Sequence, residues 1–397
     1  MGKYTIDGKY DNLIEERLKI VNKVLIEKLN EFGLRSVILF GGYGRGEGTI
    51  LNGELFNDFD MYVITNKKVS DKVCEEVGIE ASKAINKGGR EFIETDGRGY
   101  DVKEFFHVDI RNIKYSKLKR LKKLTRTYEL KYGSSVLYGE DVRDKIKISE
   151  ELPVSEGWRH MINKSCHLLL AMDSRRLKGK FEKDEDKIAA YYSIKTIMAC
   201  GECLLLLKKR FSPTYKGKNE LFKQLYKDEL PEMVEKVDYA TKLKLNFDFS
   251  KIKDVVKLWT AARDCLFFTL KYMAEKEFGI KTDNKRILMK QLYKKLPYYY
   301  HRPYIPFGRI TFIGQYLLNI IYFLRTGHVK NLLTWRDTGV RILFPAFLLL
   351  YSFEEPSLNS SIERYLKKLY PVRGNSWEEL RKATLYAYGK YYTQKLI

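Results

Sequence analysis

Two aspartates separated by one residue, Asp58 and Asp60, lie in the segment Asn57-Asp58-Phe59-Asp60-Met61-Tyr62-Val63. Polar and apolar residues alternate there, so the segment reads as a strand. Asp58, Asp60 and Tyr62 share one face, and Phe59, Met61 and Val63 share the other. Two carboxylates held close together repel each other, and that repulsion favours a bound cation. Hard divalent ions such as Mg²⁺ take oxygen ligands and commonly share them with substrate phosphates. A third acid, Asp109, sits between Val108 and Ile110 in a second alternating run. If that run is a neighbouring strand, three carboxylates can hold two metals, one on an attacking oxygen and one on a leaving group. Asp58, Asp60 and Asp109 are therefore the candidate catalytic residues and metal ligands. His107 falls on the same face as Asp109, and with no other histidine near it in sequence it is read as a supporting imidazole.

A glycine-rich turn precedes the first pair: Phe40-Gly41-Gly42-Tyr43-Gly44-Arg45-Gly46. Glycines let a backbone approach phosphates closely and aim N–H groups at them. Arg45 adds a guanidinium suited to phosphate oxygens. Gly41, Gly42, Tyr43 and Arg45 are thus candidate nucleotide-binding residues. The turn is not a Walker A loop, because Glu47 stands where the lysine is needed, and its spacing does not fit GxGxxG.

The elements that must position these groups follow from periodicity. Apolar residues at helical spacing predict a helix over Asn12–Phe32, stopped by Gly33, and a second over Ser70–Asn86. Ser36–Phe40 and Asp58–Ile64 read as strands. Glu91–Glu94 and Val102–Arg111 read as paired strands around the loop Asp96-Gly97-Arg98-Gly99, with Phe106, Val108 and Ile110 on one face of the second. Tyr115–Lys131 is read as helical and Gly133–Gly139 as a loop. Beyond Trp158 helices dominate: Met161–Met172, Asp186–Phe211, Phe249–Phe278 and Arg286–Leu296. The Pro303-Tyr304-Ile305-Pro306 segment marks a boundary.

Taken in order, Gly41-Gly42-Tyr43-Gly44-Arg45-Gly46, Asn57-Asp58-Phe59-Asp60 and Val108-Asp109-Ile110 resemble the nucleotidyltransferase superfamily of the DNA polymerase β type. The minimal and aminoglycoside nucleotidyltransferases are nearest in style. Their motif reads Gly-Ser-x-Ala-Arg-Gly, then Ser-Asp-x-Asp, then an acid on a later strand. The resemblance covers the N-terminal third, roughly to Asp141. It implies that Asp58 and Asp60 bind metal and that Asp109 completes the site and helps activate an acceptor hydroxyl. Arg45 falls on the family arginine and Gly41 on its first glycine. Gly42 replaces the family serine, Asn57 replaces the serine before the first aspartate, and the interval Glu47–Phe56 is longer than in minimal members. Val136-Leu137-Tyr138-Gly139-Glu140 resembles the loop that closes such a domain. The Tyr191-Tyr192-Ser193-Ile194-Lys195 segment resembles the helical domain that follows it, where a lysine or tyrosine can face the nucleotide phosphates; Lys195 is the tentative member here.

The expected fold is α+β. A polymerase β-like catalytic domain over residues 1–145, a mixed sheet with helices on one side, is followed by a helical acceptor domain over 146–300. An apolar helical region over 301–397 packs on the latter. The expected activity is Mg²⁺-dependent transfer of a nucleoside monophosphate from an NTP such as ATP, with two Mg²⁺ ions, or Mn²⁺ in their place, and pyrophosphate released. The acceptor is a small molecule by preference, an RNA end or a protein side chain otherwise.

The formal net charge of +22 admits polyanions and acidic membrane surfaces as partners, although a solvated lysine-rich surface gives the same number. A non-catalytic protein of the same fold that binds nucleic acid through its basic surface is the rival reading. Five cysteines in 397 residues do not make a disulfide scaffold, and Cys200-Gly201-Glu202-Cys203 has no second pair at zinc-ribbon spacing, so it reads as buried thiols on a helix. With the polar start Met1-Gly2-Lys3-Tyr4, this sets a cytoplasmic expectation. Ile310–Leu324 and Ile342–Phe353 are apolar but shorter than the ~18–20 residues of a span, and Pro345 interrupts the second, so both read as buried helices. Arg325, Lys330, Arg336 and Arg341 near them leave a peripheral membrane contact as the alternative.

Overall fold

The computed structural model describes residues 2–51, 53–86, 92–94, 100–102, 106–182, 184–300, 320, 323–324, 338–368, 372 and 374–393. The Asp96–Gly99 loop, the Pro303–Pro306 boundary and nearly all of the apolar run Ile310–Leu324 lie outside the described residues. Contacts along the chain group it into two units. One comprises Met1–Ile93, Asp101–Leu152 and Lys209–Asp248; the other comprises Glu94–Tyr100, Pro153–Lys208 and Phe249–Ile397. The sequence places divisions at residues 145 and 300, whereas the segment from Lys209 to Asp248 groups with the N-terminal sheet.

The first unit is α+β. Its helix α1 (Asp11–Leu29) buries Leu18, Val21, Leu25 and Leu29 as the sequence spacing predicts, with Ile14 rather than Leu13 completing the buried stripe. A short 3₁₀ turn follows, and Gly33 ends it in the left-handed region at φ 68°. Strand β1 (Leu34–Phe40) leads into a four-residue helix, α2 (Gly41–Gly44). The hairpin β2 (Thr49–Leu51) and β3 (Glu54–Phe56) separates that turn from β4 (Asp58–Thr65). Helix α3 (Asp71–Ala84) starts at Ser70, whose hydroxyl accepts from Val73 N–H at 3.3 Å. Two short strands, β5 (Phe92–Glu94) and β6 (Tyr100–Val102), pair with each other. The strand β7 (His107–Lys114) belongs to the main sheet. The partner of Phe92–Glu94 is therefore Tyr100–Val102 and not the Asp109 run.

The main sheet is mixed, in the order β7-β4-β1-β8, where β8 is Ser135–Gly139. Strand β4 runs parallel to β7 and antiparallel to β1, which is antiparallel to β8. The loop expected over Gly133–Gly139 is thus an edge strand over most of its length. Its backbone groups find partners on β1, with Val136 opposite Ile38 and Tyr138 opposite Val37. Between β7 and β8 the helical expectation is met only in part, by a 3₁₀ segment at Tyr115–Arg120 and by α4 (Thr125–Tyr132).

Alternation decides which face meets which layer. Val37, Leu39, Phe59, Met61, Val63, Val108 and Ile110 pack with α1 and α3 in one core. Ile38, Phe40, Tyr62 and Ile64 point the other way and form a second core with Leu118, Leu130, Val142 and Ile146. The expectation of helices on one side is therefore incomplete, since α4 and its neighbouring turns cover part of the opposite face.

Two helices unmarked by the sequence reading complete this unit: α7 (Tyr215–Tyr226) and α8 (Pro231–Leu245), which pack together. Phe56 stacks on Phe247 at 5.4 Å, tying the hairpin to the end of that segment.

The second unit is helical in the described residues. Its α5 (Ser155–Ala171), α6 (Glu185–Leu207) and α9 (Val255–Phe278) pack on one another and are followed by α10 (Lys285–Tyr300). Then come α11 (Thr338–Ser352), α12 (Asn359–Leu366) and α13 (Trp377–Thr393). Pro345 lies inside α11, and Ile342 to Tyr351 are buried there within the protein. Cys200 and Cys203 are fully buried on α6, and Cys203 Sγ donates to Gly157 O at 3.4 Å, so the pair are core thiols. Among the described residues α6 alone is long and apolar enough to cross a membrane, and 78% of its apolar window is buried within the protein.

Candidate active site

The sheet register brings the three aspartates to one face. Asp60 is opposite Asp109 across the parallel β4–β7 pair, and Asp58 is opposite His107. Adjacent strands lie about 4.8 Å apart, and i, i+2 positions about 6.6 Å apart along a strand. Asp58, Asp60, His107 and Asp109 therefore form a compact quadrilateral on the face that, nearer the other end of the strands, becomes the Ile38–Tyr62–Ile64 core. All four side chains are partly exposed. Asn57 enters the strand with φ 82°, an unusual value for a residue with a side chain, immediately before Asp58.

The turn after β1 abuts this quadrilateral. Phe40 is opposite Asp60, so Gly41 begins the turn beside that carboxylate. Gly41 has φ 70°, and a Cβ there would stand 2.3 Å from Asp60 Oδ2. Gly44 is equally constrained, since a Cβ would meet Leu39 O at 2.3 Å. Gly42 is looser: a Cβ would sit 3.1 Å from Glu47 O, and φ is not left-handed.

Tyr43 is buried, and its hydroxyl donates to Thr49 O at 2.6 Å and accepts from Phe56 N–H at 3.2 Å. Its ring meets Phe59 edge-on at 5.0 Å. The expected nucleotide contact is thus, in this structure, a strut between the turn, the β2–β3 hairpin and the core beneath β4.

Arg45 likewise points inward. Its side chain is 4% exposed, with Nε 3.2 Å from Glu47 and Nη1 3.2 Å from Glu129. Its guanidinium lies over the Tyr215 ring at 4.3 Å. Glu47 is fully buried, and its carboxylate accepts from the backbone N–H groups of Tyr215 at 2.7 Å and Lys216 at 2.8 Å, the start of α7. A carboxylate at a helix N-terminus is stabilised by the unpaired N–H groups and the helix dipole. Lys218 reaches Glu129 at 2.5 Å, and Lys244 bonds Thr49 of the hairpin. Arg45 therefore anchors the turn to α4 and α7 within a buried ionic network, where the sequence placed it on phosphate.

Arg111 is the neighbour of Asp109 that the sequence reading passed over. It follows Asp109 by two residues and so shares its face, and its Nη2 and Nε donate to Asp109 Oδ2 at 2.8 and 3.1 Å. Burial pulls the guanidinium pKa down, but the charges of Asp109 and Asp60 more than offset this and hold it above the usual arginine value. The i, i+2 rule that places Asp60 beside Asp58 would also have found Arg111.

The donor chemistry suits a hard divalent ion, since all three aspartates supply oxygen. Their placement suits it in part. Among the described residues no three His, Cys, Asp or Glu side chains are grouped as a metal-holding set. Asp58 and Asp60 share a strand face, while Asp109 Oδ2 is engaged by Arg111. Lys195, the remaining candidate, lies on α6 of the helical unit, half-buried, with Nζ 5.1 Å from the Tyr191 ring centroid.

No family model matches this chain, and no curated protein matches it. Among solved structures it is similar to the spectinomycin adenyltransferase AAD(9) from Enterococcus faecialis, determined with ATP and spectinomycin. The match has 14% identity and a TM-score of 0.34, and covers 63% of this chain and 98% of that one.

Proposed function

We propose that this chain is a nucleotidyltransferase that moves a nucleoside monophosphate from an NTP, ATP first among them, to an acceptor hydroxyl. The observation that carries the reading is the in-register pair Asp60–Asp109 beside Asp58, with Gly41 closed against Asp60. That constellation is what the motif order demands of nucleotidyl transfer, and it brings Asp109, distant in sequence, onto the face of Asp58 and Asp60.

Asp58 and Asp60 would hold Mg²⁺ or Mn²⁺, with Asp109 joining them on leaving Arg111. When bound, such an ion supplies charge neutralisation to the phosphates. The acceptor oxygen attacks the α-phosphorus, the bond from that phosphorus to the bridging oxygen breaks, and pyrophosphate leaves. Asp109 takes the hydroxyl proton. Gly41 and Gly42 keep the turn free of side chains beside Asp60. Arg45 and Tyr43 hold the turn in place from beneath, and Arg111 balances charge on the face. The acceptor is a small molecule in this reading. The protein works in the cytoplasm.

The test is Asp58→Asn with Asp60→Asn, assayed for Mg²⁺-dependent pyrophosphate release from each NTP in the presence of pooled metabolites, RNA and protein. The reading requires loss of release by at least 10³-fold. Release that is equal in the double variant rejects this site. NTP binding without any release, in the unaltered chain, would favour the non-catalytic binding protein, for which the Asp109–Arg111 ion pair is the supporting observation.

A further inference from the structure

Between Asp109 and Glu129 the chain carries eight basic residues and no carboxylate. Arg111 belongs to the candidate site, where it is paired with Asp109. The other seven run on from it within the sheet unit. Lys114 ends β7, and Lys117, Lys119 and Arg120 stand on the 3₁₀ segment that follows. Lys122 and Lys123 lie in the link to α4, and Arg126 is in its first turn. All seven are exposed.

The local geometry produces this arrangement. A 3₁₀ helix has three residues per turn, so Tyr115, Leu118 and Leu121 fall on one face. Leu118 is fully buried with Ile38 and Ile64, and Tyr115 and Leu121 pack against that core. The apolar residues are turned inward, and the lysines and arginine between them stand outside. Two more cations border the start of the strip. The Arg35 guanidinium is 4.9 Å and Lys145 Nζ 5.6 Å from the Tyr115 ring centroid. Both reach the same carboxylate, Glu140, at 4.0 and 3.3 Å.

A surface that needs only solvation interleaves both signs of charge, because like charges on neighbouring turns repel. Exposed lysines elsewhere in this chain follow that pattern. Lys72 is 3.8 Å from Glu76, Lys257 is 3.8 Å from Asp254, and Lys367 is 2.6 Å from Glu363. The strip departs from it: Lys122 aside, none of the seven cations forms an ion pair among the described residues. Their spacing points to the partner. A 3₁₀ segment rises about 2 Å per residue, so Lys114 to Arg120 present four cations over about 12 Å. Phosphates along one strand of a duplex recur about every 3.4 Å, and flexible lysine stems absorb the difference. An interfacial segment would instead offer apolar side chains to lipid, whereas Leu118 and its neighbours face the core.

We propose that the strip from Lys114 to Arg126 is a docking surface for a nucleic-acid backbone, held through its phosphates and without regard to base sequence. The strip belongs to the sheet unit alone, and the inference holds whether or not that unit transfers nucleotides.

The experiment uses the full chain freed of divalent ions. Its probe is a fluorescent DNA duplex of mixed sequence and about 20 base pairs, followed by anisotropy between about 50 and 200 mM KCl. Binding that weakens steeply with salt is expected. Lys117→Gln, Lys119→Gln and Arg120→Gln combined should weaken it at least 30-fold at the lower salt and flatten the slope of log affinity on log salt by about 2–3. Lys290→Gln, Lys294→Gln and Lys295→Gln combined remove the same charge from exposed positions of α10 and should change affinity less than about threefold. Melting curves establish that both triple variants are folded. Equal loss in the two would mean that binding follows net charge, and this overturns the proposal. So does a duplex affinity that survives the strip substitutions; if that variant also ceases to sediment with phosphatidylserine vesicles, the strip is a lipid contact instead. Loss of duplex binding in Asp58→Asn with Asp60→Asn overturns it as well, by placing the nucleic acid on the aspartate face.

Discussion

Gly41 and Asp60 leave no room for a side chain between them: a Cβ on Gly41 would stand 2.3 Å from Asp60 Oδ2. The relationship follows from the sheet, because Phe40 is opposite Asp60 and the chain turns immediately afterwards. It also requires φ 70° at Gly41, which an L side chain adopts at a cost of roughly 1–2 kcal/mol. Gly41→Ala is therefore expected to displace the Asp60 carboxylate as well as strain the turn. Pyrophosphate release should fall by about 100-fold or more, with a lower melting temperature. Gly42→Ser is the contrasting case. Its Cβ would meet Glu47 O at 3.1 Å, a contact relieved by a small shift. That variant should fold and melt within a few degrees of the unaltered chain. Equal activity of the alanine variant at 41 would show that the close approach has no functional consequence.

The Arg111–Asp109 pair predicts an effect on metal affinity that needs no substrate. With the guanidinium on Asp109 Oδ2, a divalent ion must displace a charge-assisted hydrogen bond and approach a fixed positive charge. Arg111→Gln removes the charge and frees the carboxylate. Mn²⁺ binding, followed by paramagnetic resonance in the absence of nucleotide, should tighten by about tenfold. Weaker or unchanged binding would mean that Asp109 is not held from the metal by Arg111.

Glu47 predicts a stability effect. It is fully buried, balances Arg45 and receives two backbone N–H groups at the start of α7. Removing one member of a buried ionic cluster leaves its partners uncompensated and costs about 3–5 kcal/mol. Glu47→Gln keeps the shape and some hydrogen bonding, so its loss should fall near the lower bound, and Glu47→Ala should exceed it. Urea unfolding measures both. A change under about 1 kcal/mol for the alanine variant would show that the network does not secure the turn to α7.

These cases also show what the sequence can convey. The facing of Asp58, Asp60 and Asp109 was legible because a strand has a period of two, and the alternating apolar residues declare which side is buried. Arg111 was legible by the same rule, but basic residues on a strand attract less notice than acids. The inward turn of Arg45 was not legible, because Glu129 and the Tyr215 ring that receive it lie at separations of about 80 and 170 residues, and no local pattern encodes such contacts. Strand β8 was misread because Gly133 and Gly139 frame only five residues, too few to establish a period. Helix α7 did carry a signal. The Thr214 hydroxyl accepts from Gly217 N–H at 3.0 Å, a capping pattern that could have been read, but the lysines that follow mask its apolar stripe. Pro231 at the first position of α8 was a similar marker.

Lys164 yields a prediction with a defined pH window. Its pKa is lowered from an ordinary 10.5 to about 8, chiefly by burial and then by Lys195. Between those values the unfolded chain holds a proton at this position that the folded chain has released. The unfolded state thus binds more protons, and stability rises with pH across the interval. Below about pH 8 the lysine is charged in both states, and the full cost of burying that charge is present. Many other groups titrate in the same range, so the quantity to measure is the difference in unfolding free energy between the unaltered chain and Lys164→Met. That difference should move in favour of the unaltered chain by roughly 1–3 kcal/mol from pH 7.5 to 10.5. Groups common to both proteins and distant from position 164 cancel in the comparison. Lys195→Met provides the check: removing the neighbouring charge should shift the Lys164 step to higher pH and narrow the window. A difference that is flat over the whole range would mean that the Lys164 ammonium is as well solvated in the folded protein as in the unfolded chain.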